Sequence, residues 1–272
     1  MSAIGDRRLW LVGAGNMGGA MLRRWIDSGA VAADRVTVLN RSGREVVPGV
    51  RSLTRPPTDQ RPDVVMLGIK PQMIDAAPDF LHRDRADAPV PLLISILAGV
   101  ECATLRQRFA VDTIVRAMPN LPVAIGRGAV ALHADAADAA SRGLVDRLMA
   151  PLGHTEWIGD EALFDVVTAL AGSGPGFTYR FIDALARAGA ALGLPDDQAL
   201  RLARATVEGS AMVAAASDES PTALADRVAS PGGSTREGLN VLDADDALVA
   251  LLTRTLDAAT RRNAQMAEQA RG

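Results

Sequence analysis

Short runs of Val, Ile and Leu punctuate the first half of the chain: Leu9 to Val12, Arg35 to Leu39, Asp63 to Ile69, Val90 to Ile96 and Thr113 to Met118. Stretches with helical spacing separate them. Apolar runs without polar alternation predict strands buried on both faces, as in a parallel sheet flanked by helices. Near Gly159 the pattern changes. From Asp160 onward the apolar residues recur three and four apart, as in Phe177, Phe181, Leu185, Ala188 and Leu192, a stripe closed by Gly193 and Pro195. The spacing predicts two domains, an α/β domain over 1–159 and an all-α domain over 160–272, and a chain of 272 residues is long enough to divide in this way. The Ala-rich segments 186–191 and 211–216 suit close helix packing in a bundle or a subunit interface, and equally suit good helix formers at a surface.

Composition narrows the classes of function. Hydrophobic residues at 48% and charged residues at 22% are those of a soluble protein. A net charge of -3 and a pI near 5.7 provide no broad basic field for nucleic acid or an anionic membrane. The run at Leu9 to Val12 is cut short by Gly13 and reads as a strand, not a leader, and no segment offers the roughly 20 apolar residues of a spanning helix. The single cysteine, Cys102, allows no internal disulfide and fits a reducing cytoplasm. His82, His133 and His154 show no ligand spacing, so a metal site is disfavoured unless folding gathers distant residues.

The first candidate chemistry lies where the first strand ends. Val12-Gly13-Ala14-Gly15-Asn16-Met17-Gly18 sets a G-x-G-x-x-G between that strand and a helix running to about Ser28. Gly13 permits a tight turn, Gly15 lets the backbone approach a pyrophosphate, and Gly18 lets helix and strand pack closely, with phosphate at the helix N-terminus. This reads as a dinucleotide site on a Rossmann-type, doubly wound sheet, the alternative being a plain glycine turn. The second strand ends in Asn40, Arg41 and Ser42, with Arg44 nearby and no acid at 40–42 to bind a ribose 2'-hydroxyl, which favours the 2'-phosphate of NADPH, with NADH the weaker alternative. Later strand exits, at Gly68-Ile69-Lys70-Pro71, at Leu97-Ala98 and at Met118-Pro119-Asn120, fall at carboxyl ends, where ligands sit in open α/β sheets.

The second candidate interrupts the helical half. Ser220-Pro221 starts a short helix to about Val228, and Ser230-Pro231-Gly232-Gly233 then leads into Ser234-Thr235-Arg236-Glu237, a capping-box pattern. A Gly-Gly approach to a helix N-terminus exposes amides to an anion such as a small carboxylate, or serves only as a turn.

Gly13-x-Gly15-x-Met17-Gly18, Lys70-Pro71-Gln72, Met118-Pro119-Asn120, Gly172-Ser173-Gly174-Pro175 and above all Ser230-Pro231-Gly232-Gly233-Ser234-Thr235 resemble the pyrroline-5-carboxylate reductases, in this order, over residues 8 to 265. The resemblance implies NADPH-dependent reduction of a cyclic imine to proline by a homo-oligomer joined through its helical domains. It also implies that Gly232, Gly233, Ser234 and Thr235, with Lys70, hold the substrate, and that the Thr235 hydroxyl meets the imine nitrogen. Two positions depart from the family: no asparagine stands between Arg41 and Lys70, where Arg51 and Arg55 are offered instead, and Gly176 replaces an alanine. A β-hydroxyacid dehydrogenase relative would need a lysine on the helix after the Rossmann domain, and Phe177 to Leu192 has none. A nucleotide sensor without turnover would need no carboxylate cradle.

Overall fold

The computed structural model describes residues 2–271. The chain divides into two compact units, Met1–Ser173 with Ala259–Gly272, and Gly174–Ala258. This packing boundary falls later than the change of pattern at Gly159, because the first helical turns after the sheet still pack on it.

The first unit is built on an eight-stranded sheet in the order β3-β2-β1-β4-β5-β6-β7-β8. Its strands are β1 (Leu9–Val12), β2 (Val36–Leu39), β3 (Arg51–Leu53), β4 (Val64–Leu67), β5 (Val90–Ser95), β6 (Val111–Pro119), β7 (Gly128–His133) and β8 (Gly153–Trp157). All neighbours are parallel except β6 and β7, which run antiparallel. Helices α1 (Asn16–Asp27), α2 (Cys102–Arg108) and α3 (Ala139–Met149) belong to the crossovers.

Period-two alternation divides the strand residues between two cores. Leu9, Leu11, Val36, Val38, Val64 and Met66 join Met21, Trp25 and Leu148 on one face. Trp10, Val12, Leu39, Val65 and Leu67 meet Leu105 and Phe109 on the other. Trp25 is fixed further by its indole N–H, which donates to the Leu148 carbonyl at 2.7 Å. Both faces being covered, the runs that read as strands are mostly apolar, with Thr37 and Arg116 among the buried polar exceptions.

Strands β3, β7 and β8 carried no such signal. β3 is a half-exposed edge of three residues, and β8, the opposite edge, is at most partly buried along its length. β7 reads Gly-Ala-Val-Ala-Leu-His, apolar but Ala-rich enough to pass for helix. The sheet is therefore wider than expected, and the antiparallel step at β7 was not foreseen.

Beyond the sheet, α4 (Phe164–Val167) runs into a π-helical turn over Thr168–Gly172. The second unit comprises α5 (Gly174–Ala191), α6 (Asp196–Ala216), α7 (Pro221–Arg227), α8 (Ser234–Asp243) and the first part of α9 (Ala247–Arg271). α5 and α6 meet through small residues: Ala186, Ala199 and Ala203 are buried, and a methyl on Gly189 would lie 3.4 Å from Leu194 Cδ1. Phe181, Leu185 and Leu192, which formed the predicted stripe, are instead exposed in the single chain, Leu192 at 90%.

Candidate active site

At the end of β1 the backbone turns at Gly13, whose φ of +85° is readily available only to glycine. Gly13 donates to the Leu39 carbonyl at 2.9 Å, and Gly68 donates to the Val12 carbonyl at 2.8 Å. These bonds tie the β1, β2 and β4 exits together. Gly68 leaves no room for a side chain, since a methyl there would stand 2.8 Å from the Gly13 carbonyl oxygen. Gly15 is the N-cap of α1, no side chain caps that helix, and a methyl on Gly15 would meet nothing within 4 Å. The first-turn amides beside Asn16 and Met17 thus face open space at the positive end of a helix dipole, while Gly18 is buried with room only for hydrogen against the Gly13 carbonyl, 3.0 Å from where a methyl would lie. These residues fit the pyrophosphate of a dinucleotide. Val12 itself is in the core, so it contributes backbone only.

The β2 exit is organised by Asn40. Its Oδ1 accepts from the Ser42 amide at 3.1 Å and the Ser42 hydroxyl at 3.2 Å, and its Nδ2 donates to the Arg44 carbonyl at 3.0 Å. Asn40 and Ser42 therefore shape the loop rather than standing as free donors. A cavity of about 340 Å³ opens beside it, lined by Ala14, Asn40, Ser42, Arg44, Glu45 and Val46. Glu45 brings an acid that the reading of 40–42 left out, and its carboxylate accepts from the Gly49 amide at 2.8 Å. Arg41 is exposed, its guanidinium 3.6 Å from Met73 Sδ. Of the departures from the family, Arg51 opens β3 and Arg55 follows that strand; β3 also receives the Asn40 amide on the Leu53 carbonyl at 3.0 Å.

The remaining exits line up along the carboxyl edge. Gly68 and Ile69 are half-buried, Lys70 is exposed, and Pro71 starts a 3₁₀ turn. Leu97 buries its side chain in the core and offers only backbone, whereas Ala98 is exposed. Asn120, buried, accepts from the Ala129 amide at 2.8 Å and donates to the Ala171 carbonyl at 3.0 Å, joining β6 to the π-helical turn.

Sequence reasoning passed over Arg116, although a charge within the apolar run Thr113 to Met118 signals a buried partner. That partner is Glu161, whose Oε1 accepts from Arg116 Nη1 at 2.6 Å and from the Cys102 amide at 2.8 Å, while the guanidinium lies 4.4 Å from the centre of the Phe164 ring. Folding also gathers what sequence spacing kept apart: the ligand atoms of Cys102, His133, Asp135 and Glu161 all lie within 4.8 Å of one another. Burial, reinforced by the charges of Glu161 and Asp135 and opposed by Arg116, pushes the Cys102 thiol up to about 12. His82 and His154 lie elsewhere, His82 against the Ala77 carbonyl and His154 exposed beside Glu156.

In the second unit, Ser220 caps α7 by accepting from the Ala223 amide at 3.2 Å. The chain then turns through Gly232, at φ +69°, to Gly233. The N-cap of α8 is Gly233, not Ser234, and the expected capping box does not form: no side chain caps this helix. The Gly233 amide donates to the Ser230 carbonyl at 2.9 Å, and a methyl at Gly233 would lie 2.6 Å from Ser230 Oγ. Ser234 and Thr235 are exposed on the first turn, and among the described residues nothing bonds the Thr235 hydroxyl. Arg236 Nη2 donates to Asp226 Oδ1 at 2.6 Å, clamping α8 to α7 across the loop. An uncapped helix start behind two glycines leaves its first-turn amides open to an anion.

Comparison with known proteins shows the family. Residues 161–266 match the family model described as pyrroline-5-carboxylate reductase dimerisation, and residues 8–99 match that of NADP oxidoreductases, coenzyme F420-dependent. The chain is 35% identical to the pyrroline-5-carboxylate reductase of Pseudomonas aeruginosa, over 96% of this chain and 97% of the relative. It belongs to the pyrroline-5-carboxylate reductase family. Pyrroline-5-carboxylate reductases from Thermus thermophilus, also 35% identical over 96% of this chain and 99% of the relative, and from Coxiella burnetii, whose structure superposes with a TM-score of 0.85 at 29% identity over 96% of this chain and 98% of that one, agree. The reductase is thus an oxidoreductase that converts 1-pyrroline-5-carboxylate to proline, on a Rossmann-type unit followed by helices. No helix among the described residues is long and apolar enough to cross a membrane.

Proposed function

We propose that this reductase draws its hydride from NADPH in preference to NADH, holds the substrate carboxylate on the amides of Gly233, Ser234 and Thr235, and works as a cytoplasmic homodimer or higher homo-oligomer. The cofactor reading rests on the β2 exit, where residues 40–42 carry no acid and Arg41 and Arg44 bring two guanidinium groups to the rim of the cavity or beside it. A charge-assisted contact of about 1.5–3 kcal/mol would favour the 2'-phosphate by at least about tenfold. Bound along Gly13–Gly18 and the exits at Gly68–Pro71 and Leu97–Ala98, the reduced nicotinamide supplies the hydride.

The observation that carries the substrate assignment is the uncapped start of α8 at Gly233. Its amides receive the carboxylate, Gly232 and Gly233 keep the approach open, and Lys70, exposed, adds a positive charge. The Thr235 hydroxyl, which no described residue bonds, contacts the imine nitrogen. A cyclic imine is basic enough to be protonated near neutral pH, so no side-chain acid is required, and orientation can supply several kcal/mol of the barrier.

Self-association into a homodimer or higher homo-oligomer is supported by the dimerisation match over 161–266 and by the exposed Phe181, Leu185, Leu192 and Leu202. On this reading residues 1–159 bind the cofactor and 160–272 bind substrate and partner. The test is consumption of NADPH by the purified protein with 1-pyrroline-5-carboxylate, repeated with NADH, alongside light scattering for mass. A kcat/KM at least about tenfold higher with NADPH is expected; equal values overturn the cofactor preference.

A further inference from the structure

Four metal-ligand side chains of the first unit meet around β7, and the reduction reaction assigns a role to none of them. Cys102 opens α2 just beyond β5, His133 ends β7, Asp135 follows β7, and Glu161 follows β8. Cys102 and His133 are buried, Glu161 is half-buried and Asp135 is exposed. Cys102, the His133–Asp135 pair and Glu161 come from three segments distant in sequence, which is why the histidines alone show no ligand spacing.

His133 supplies the decisive geometry. Its Nδ1 is 2.8 Å from the Ile158 carbonyl oxygen and its Nε2 is 3.2 Å from Asp135 Oδ1. Both ring nitrogens face pure acceptors. A carbonyl can only accept, so Nδ1 carries the N–H, and a neutral ring then aims the Nε2 lone pair at a carboxylate. That contact is repulsive unless a cation sits there or the ring is itself an imidazolium paired with Asp135. A ring held by a carbonyl on one nitrogen, with the other directed at a carboxylate, is the orientation in which histidine binds a metal.

The neighbours complete the set. Glu161 is held in place on its Oε1 by Arg116 and by the Cys102 amide. A Cys102 thiolate and the Asp135 and Glu161 carboxylates carry three negative charges, and Arg116 cancels one, leaving the two that a divalent ion neutralises. One sulfur, one imidazole nitrogen and two carboxylate oxygens form a mixed set of the kind zinc accepts in four-coordinate sites. A cavity of about 230 Å³, lined by Glu101, Arg116, Glu161 and Asp165 among others, opens on the Glu161 side of the cluster. We propose that Cys102, His133, Asp135 and Glu161 bind a single divalent ion of the zinc class, which pins the start of α2 and the end of β7 to the segment after β8.

The test uses the full chain, purified without a histidine tag and stripped with chelator, then titrated with Co(II) alone and with Zn(II) alone. The expected result is one equivalent of Co(II), with a thiolate-to-cobalt charge-transfer band and visible bands of tetrahedral intensity. Zn(II) should displace it and raise the thermal midpoint. Cys102→Ser should abolish the thiolate band, and His133→Gln should lower Zn(II) affinity by at least about tenfold. Should either buried variant fail to fold, Asp135→Asn, altered at an exposed side chain, should still weaken Co(II) by about tenfold or more and retain the thiolate band. Absence of the thiolate band at saturating Co(II), or Co(II) binding as tight in Asp135→Asn as in the parent, overturns the site and leaves His133 as an imidazolium paired with Asp135.

Discussion

Gly13 and Gly68 stand back to back: a methyl on Gly13 would come within 2.9 Å of the Gly68 carbonyl carbon, and one on Gly68 within 2.8 Å of the Gly13 carbonyl oxygen. The β1 and β4 exits are pressed so closely that the nucleotide cradle depends on two missing side chains. Gly68→Ala should therefore cost about 1–3 kcal/mol through overpacking, visible as a lowered denaturation midpoint. Gly15→Ala should leave the midpoint unchanged, since its methyl meets nothing within 4 Å, yet raise the KM for NADPH by about tenfold or more. Equal effects of the two variants on stability would contradict this division of labour.

Thr235→Ala removes an exposed hydroxyl that no described group of the chain bonds. Its thermal midpoint should be that of the parent, while kcat/KM for 1-pyrroline-5-carboxylate falls ten- to a hundredfold, from roughly 1 to 3 kcal/mol of lost contact. Unaltered kinetics would remove Thr235 from the reaction.

At the β2 exit, Arg41→Ala and Arg44→Ala should each weaken NADPH by about tenfold and leave NADH nearly unaffected. Asn40→Ala should act differently, loosening the loop whose turn it bonds, and weaken both cofactors together. Steady-state KM values for the two cofactors distinguish these outcomes.

Arg116 and Glu161 form an ion pair at 2.6 Å with side chains 5% and 21% exposed. Arg116→Met strands the carboxylate beside the Cys102 amide. A fully buried pair broken this way costs about 3–5 kcal/mol; with Glu161 partly solvated, about 2–3 kcal/mol is expected, read from urea midpoints.

The Cys102 thiol, raised to about 12 first by burial and then by Glu161, is held as the neutral form. Folding favours the protonated thiol, so this contribution is complete below ~8.5, the ordinary thiol value, and is lost as pH rises towards the folded value. In chelator-treated protein at mildly alkaline pH, iodoacetamide should label Cys102 at least about a hundredfold more slowly than in the denatured chain. Comparable rates would show that the thiolate is accessible.

Sequence alone was sufficient where the physics is local. Buried parallel strands need largely apolar runs, so β1, β2, β4, β5 and, despite Arg116, β6 stood out; a turn at positive φ needs glycine, so Gly13 and Gly232 announced themselves. The Ser220-Pro221 helix start was legible for the same reason, and the order of short motifs along the chain was enough to indicate the family. Edge strands β3 and β8 escaped because half-solvated residues carry no continuous apolar signal. The cap of α8 moved to Gly233 because backbone geometry, not residue type, chose where the helix begins.

Only the tertiary structure decided which distant residues meet. Asn40 turned inward to bind its own loop, Glu45 entered the wall of the cavity, and Arg116 found Glu161 across the sheet edge. Cys102, His133, Asp135 and Glu161 came within 4.8 Å of one another by the same route. Local periodicity records which face of an element is buried. It holds no information on which side chains from separate strands arrive at one point, because that depends on strand order and crossover, and here on the antiparallel turn into β7 that places His133 beside the β5 and β8 exits.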